Sequence, residues 1–258
     1  MTRHINPAVL QEIAQANGVD PLFIERDWVL TEIIYHLAQL PGSDLVLKGG
    51  QALRHIYGSD RLSKDIDYVS SRRLDFDELR QQLTIRYPRL RLPTHAAGPT
   101  KYGLTIRPIS YTGPLNVQGT VEVEVSYRED VVLIPTPQLF DSPFRDPFPV
   151  VVMDLHEMVA EKIRALYQRG NPRDLYDLWF IHNLPSTAID ARTVADLVPT
   201  KFRLVSGSWK RERLYERIRA NEGDWNQALR LLVTTLPSFD EALSAVEVAL
   251  HPVVHALQ

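Results

Sequence analysis

Residues 45–70 read LVLKGGQALRHIYGSDRLSKDIDYVS. A short apolar run at 45–48 predicts a buried strand, and Gly49-Gly50 ends it. Residues 51–57 predict a helix with Ala52, Leu53 and Ile56 on one side, closed by Gly58-Ser59-Asp60. A polar connection leads to Asp65-Ile66-Asp67, which opens a second strand over 65–69. Residues i and i+2 of a strand point to the same face, so Asp65 and Asp67 can converge on one point. Two adjacent carboxylates repel unless a cation lies between them, and Mg²⁺ prefers such oxygen ligands. Paired glycines let a backbone approach a phosphate and aim its N–H groups at it. The stretch therefore reads as a nucleotide site with a divalent metal on a compact α/β unit. The plainer alternatives are a tight strand-to-helix turn at the glycines and a polar pair at a strand start.

The whole chain bounds that reading. It has 258 residues, 44% of them hydrophobic, which suits one large domain or two modest ones. It has no Cys, which excludes disulfides, thiol catalysis and Cys-based zinc sites and fits a cytoplasmic protein. The N-terminus lacks the apolar core of a signal peptide, and no run is long enough to span a bilayer. No membrane partner is expected. With a net charge of −3, any nucleic-acid contact must come from a local patch.

Outward from the central stretch, Asn6-Pro7 and Asp20-Pro21 each cap a helix, the second running to about residue 40. Glu25, Arg26 and Asp27 would mark its polar side. A helix is expected at 75–87, then a loop-rich link at 88–99. Strands are expected at 102–109, 117–127 and 131–134. Within VEVEVS, Val121, Val123 and Val125 face one way and Glu122, Glu124 and Ser126 the other. The glutamates are ordinary solvent-facing charges, or one of them, Glu124 first, is a third carboxylate beside the D-x-D strand. The proline-rich stretch 135–149 is the expected boundary. Helices should follow: 155–168, with Asp154 and Glu157 as a capping box, then 173–182, 191–198, 210–220, 226–234 and 239–250.

Other residues carry competing readings. Ser63 is a phosphate contact or a turn hydroxyl bonding its own backbone. Lys48 and Arg128 can reach phosphate or be solvated or paired. Asp174 and Asp177 share a helix surface, with Arg169 and Arg173 available for an ion-pair network. His55, His156 and His182 are isolated and read as structural. Lys201, Arg203, Lys210, Arg211, Arg213, Arg217 and Arg219, with Trp209 and Tyr215 interleaved, form a patch for RNA or a solvated face paired with Glu212 and Glu216.

The string GGQAL…RLSKDIDYV resembles the signature of the AbiEii/AbiGii nucleotidyltransferase-like toxins, members of the DNA polymerase β-like nucleotidyltransferase superfamily. A second string, EMVAEKIRALYQRGNPRDLYDLWFI, is similar to the family's Lys-bearing helix and the Arg-Asp-x-x-Asp-like helix after it. The likeness spans roughly residues 45–181, in the right order. It implies an α/β (α+β) fold. A nucleotidyltransferase core with a mixed sheet would occupy 1–148, and a helical part at 149–258 would complete the cleft. It further implies Mg²⁺ on Asp65, Asp67 and Glu124, and NTP phosphates on Gly49, Gly50, Ser63 and Lys162. Asp65, Asp67, Lys162 and Asp174 would be catalytic, with Asp174 favoured over Asp177. Without the likeness, Lys162 reads as a helix Lys paired with a carboxylate one turn away. The implied activity is nucleotide transfer from NTP to the 3′ end of tRNA, blocking aminoacylation and growth, with a cognate antitoxin as partner. The alternatives are nucleotidylation of a protein hydroxyl and a non-catalytic nucleotide-binding protein.

Overall fold

The structure is a computed structural model that describes residues 4–86, 90–93, 97–100, 102–127, 131–185, 189–203 and 209–257. The chain divides into two compact units: Met1–Val131 with Pro135–Val152, and Val132–Ile134 with Met153–Gln258.

The first unit holds helices α1 (Pro7–Asn17), α2 (Pro21–Leu37), α3 (Gly49–His55) and α4 (Phe76–Arg86). Its strands are β1 (Val46–Lys48), β2 (Asp65–Val69), β3 (Leu90–Arg91), β4 (Ala97–Thr100), β5 (Gly103–Thr112), β6 (Gln118–Ser126), β7 (Thr136–Ser142) and β8 (Arg145–Val152). They form one mixed sheet in the order β3-β5-β6-β2-β1-β8-β7, with β4 on β5. β2 runs parallel to β6 and antiparallel to β1. Val121, Val123 and Val125 are each at most 3% exposed, so the alternation read from the sequence does set the faces of β6. α2 packs on β2 and β6, and α3 on β1 and β2. Both predicted caps form: Asn6 accepts from the Val9 N–H and Asp20 from the Leu22 N–H.

Two expectations for this unit change. Glu25 and Asp27 are buried rather than on a solvent face of α2. Glu25 accepts the Leu115 N–H at 2.7 Å. Asp27 accepts from Arg54 Nε at 2.9 Å and faces His55 Nε2 at 3.2 Å. Burial alone would raise the Asp27 carboxyl, but Arg54 and His55 outweigh it and hold it at about 2. His55 also reaches the Asp141 carbonyl at 2.8 Å and stacks on Phe140, a structural role. Second, residues 135–149 are no linker. They build the β7–β8 hairpin, and the division falls after Val152. Phe148, Val150 and Val152 are buried in alternation with exposed Pro147, Pro149 and Val151. Pro137 sits in the edge strand β7, where a missing N–H costs no ladder bond.

The second unit is helical: α5 (Leu155–Arg169), α6 (Pro172–His182), α7 (Ala191–Phe202), α8 (Arg211–Arg219), α9 (Trp225–Leu229) and α10 (Phe239–Ala256). α5 packs against α6, α7 and α8, and α10 against α6 and α7. Asp154 caps α5 through the His156 N–H, but the expected capping box does not close. Glu157 instead accepts the Val132 and Leu133 N–H groups, both at 2.9 Å. That arrangement explains why residues 131–134 are not a strand: two of their backbone donors are spent on a buried carboxylate. No helix among the described residues is long and apolar enough to cross a membrane.

Candidate active site

In the first unit the register places the predicted residues in two polar rows on one face of the sheet. Lys48 of β1 pairs with Asp67 of β2, Asp67 with Glu124 of β6, and Glu124 with Thr105 of β5. Two residues away, Asp65 pairs with Glu122. Same-face neighbours on paired strands lie about 5 Å apart. Alternation along β6 does not choose between its two glutamates, and the register sets each of them beside an aspartate of β2. Glu124 stands beside Asp67, whereas Glu122 stands beside Asp65 and meets Arg107 at 3.5 Å.

The glycines close one side of this face. Gly49 follows β1 directly, with φ of 70°, where a side chain is strained. A Cβ on it would lie 2.5 Å from Asp67 Oδ2. A Cβ on Gly50 would lie 2.8 Å from a terminal nitrogen of Arg61 and 3.1 Å from Ser63 Oγ. Only bare backbone fits between β1 and the D-x-D segment. The Ser63 hydroxyl donates to the Asp65 carbonyl at 3.2 Å, a turn bond that shapes the approach to β2. Arg61, which sequence reading passed over, is buried and donates to the Leu62 carbonyl at 3.3 Å.

In the second unit, Lys162 on α5 meets Asp174 at 3.0 Å and Asp177 at 2.7 Å on α6. Both carboxylates are at most 1% exposed. Arg169 also reaches Asp174, at 2.9 Å. Burial opposes the charge on Asp174, but Lys162 and Arg169 hold its carboxyl down at about 2. The sequence favoured Asp174 over Asp177; both carboxylates hold the lysine.

One member of the basic run leaves the surface. Lys201 is buried and paired with Glu157 at 2.5 Å and Glu161 at 3.2 Å, which removes it from any RNA patch. Arg213 lies 4.7 Å from the Tyr167 ring, on which Trp209 also stacks. Arg219 pairs with Glu247 at 2.9 Å. Arg203, Lys210, Arg211 and Arg217 are exposed. Arg128 lies outside the described residues.

A polar row and a glycine turn thus stand at the D-x-D strand, and comparison with known proteins decides the family. The family described as "Nucleotidyl transferase AbiEii toxin, Type IV TA system" matches residues 32–245. The chain belongs to the AbiEii family. It is a nucleotidyltransferase toxin of a type IV toxin–antitoxin system, and membership implies an NTP substrate and a cognate antitoxin. Its fold matches MenT4, a nucleotidyltransferase toxin of Mycobacterium tuberculosis H37Rv, with a TM-score of 0.74 at 18% identity, over 97% of this chain and 90% of that one. JHP933 of Helicobacter pylori matches with a TM-score of 0.62 at 18% identity, over 93% and 94%. No curated protein sequence gives a significant match.

The toxin's donors suit the metal expected of it. Asp67 and its β6 neighbour Glu124 offer anionic oxygens, which favour a hard divalent cation, while Lys48 stands on the β1 side. Among the described residues no group of three or more His, Asp or Glu side chains is placed to hold a metal ion, so the expected set of Asp65, Asp67 and Glu124 does not assemble as one. Mg²⁺ commonly takes one or two carboxylates and completes its shell with water and substrate phosphate. Asp65 and Asp67 are the residues that would hold it.

Proposed function

We propose that the toxin uses Mg²⁺ to transfer nucleotides from NTP to the 3′ end of tRNA in the cytoplasm, and so stops aminoacylation, translation and growth. The observation that carries the chemistry is the row Lys48–Asp67–Glu124, with the backbone of Gly49 against the Asp67 carboxylate. Mg²⁺, when bound, would neutralise charge on the reacting phosphate and orient it.

The acceptor hydroxyl attacks the α-phosphorus, a new P–O bond forms, and the bond to the departing pyrophosphate breaks in line. Glu124, beside Asp67, accepts the proton the hydroxyl loses. The first N–H groups of α3, at Gly49 and Gly50, have no acceptor within the helix, and in this reading they donate to phosphate oxygens. Family likeness assigns Lys162 to the nucleotide phosphates and makes Asp174, which meets that lysine at 3.0 Å, catalytic with it.

Incubation with each labelled NTP, Mg²⁺ and total tRNA, followed by sequencing of the RNA 3′ ends, tests the reading. Added nucleotides at tRNA 3′ ends, absent when EDTA is present, are expected. Label confined to serine, threonine or tyrosine hydroxyls of protein would replace this reading with protein nucleotidylation.

A further inference from the structure

Beside the D-x-D strand, on the side away from the glycines, lies a cavity of about 380 Å³ within the first unit. Its lining includes Arg26 of α2, Lys64 before β2, Asp65, Arg107 of β5, and Thr120 and Glu122 of β6. Three cations against two carboxylates leave it positive in a protein whose net charge is −3.

The cavity is built by a specific irregularity. β5 and β6 slip register between Ile106 and Ile109: Ile106 pairs with Val123 and Ile109 with Val121. Arg107 and Pro108 therefore both stand opposite Glu122. Such a bulge bends the strand and re-aims its side chains, a device found beside active sites. Here it turns Arg107 toward the row of Asp65 and Glu122. Arg107 meets Glu122 at 3.5 Å and remains 61% exposed. A guanidinium carries five donors, so one carboxylate does not exhaust it. Lys64 is exposed at the mouth, and Arg26 is held by the Tyr111 hydroxyl.

The geometry points to this cavity as the subsite that grips a backbone phosphate of the RNA acceptor strand. The inference rests on the transfer reading above and adds the place where the acceptor lies. In-line displacement brings the attacking and departing oxygens to phosphorus from opposite sides. Gly49 abuts Asp67 from the β1 side, where the NTP phosphates are assigned. The cavity abuts Asp65 from the β5–β6 side, which Glu124, the proposed base, also borders. An acceptor held there reaches the reacting phosphorus opposite the leaving pyrophosphate. The cavity's chemistry would also suit phosphates of the NTP itself, and the experiment separates the two sources.

The test uses the full chain with Asp67 intact: without NTP the RNA is not extended, and the analogue cannot be turned over. Affinity for a labelled RNA and for a non-hydrolysable NTP analogue is measured over a range of salt, with and without K64Q and R107Q together. Each phosphate that a side chain ceases to neutralise lowers the salt slope by about 1. The double variant is expected to bind RNA about tenfold more weakly, with a slope lower by about 1 for the phosphate released, and to bind the NTP analogue as before. The charge-keeping pair K64R and R107K should retain RNA binding, which excludes a folding defect. Unchanged RNA affinity and slope would overturn the inference while leaving transfer intact. A drop in analogue affinity equal to the drop in RNA affinity would overturn it in favour of an NTP subsite. A protein with Asp67 intact that labels no RNA and binds none removes the transfer reading, and this inference with it.

Discussion

The carboxylate of Asp67 and the α-carbon of Gly49 are in direct apposition: a β-carbon on Gly49 would stand 2.5 Å from Asp67 Oδ2. The glycine is thus required twice, by its φ of 70° and by its neighbour. Gly49→Ala is expected to cost about 1–2 kcal/mol of stability through backbone strain. It should cost about 100-fold in transfer by displacing Asp67 about an ångström. Thermal unfolding and turnover measured on the same sample separate the two effects. Near-normal turnover would mean that Asp67 need not hold this position.

The register of β2 on β6 sets Glu124 beside Asp67, and the transfer reading makes it the base. Glu124→Gln should lower kcat by about 100-fold or more while NTP and RNA affinities hold. Steady-state kinetics beside direct binding check this. A rise in KM with kcat intact would make Glu124 a binding group and remove it as the base.

Removing Lys162 strands two buried carboxylates. Asp174 keeps Arg169, whereas Asp177 loses the lysine that meets it at 2.7 Å. Lys162→Ala should therefore destabilise the protein by about 3 kcal/mol, as well as reducing transfer. Adding Asp177→Asn to Lys162→Ala should recover part of that stability but not the activity. Denaturant melts of the single and double variants check the first half, and transfer assays the second.

Acid sensitivity follows from two carboxylates. Asp27 and Asp174 each have a folded pKa of about 2 against an ordinary 3.8. A depressed folded pKa means stability that is present above the unfolded value and lost as pH falls through the folded one. Each group should contribute about 2 kcal/mol above pH 4 and progressively less down to pH 2. Urea melts from pH 5 to pH 2 should show this decline. Asp27→Asn should be less stable at pH 5 yet change less with pH across that window.

Much of this was legible in the chain because the D-x-D spacing and the alternation in VEVEVS each fix a face. What they do not fix is which strands meet. That Glu124 neighbours Asp67 and Glu122 neighbours Asp65 follows only from β2 pairing with β6 across a long stretch of sequence. The proline hairpin at 135–149 was hidden for a different reason. Its prolines signal a linker, yet they alternate with buried Phe148 and Val150 and include an edge-strand position. Buried charges were the least legible. Glu25, Asp27 and Lys201 look like surface residues, and only partners far along the chain make their burial tolerable. The cavity at Arg107 depends on a bulge whose mark in the sequence is Pro108, a residue that a strand paired on both sides admits at such an irregularity.

The central claim is that Asp67 organises nucleotide transfer to RNA. Its most direct test is incorporation of α-labelled NTP into total tRNA, in Mg²⁺, by the wild-type protein and by Asp67→Ala, with folding of both checked by thermal unfolding. The account predicts labelled tRNA with the wild type and none with the equally folded variant. Labelled tRNA from Asp67→Ala, or none from the wild type with any of the four NTPs, would contradict it.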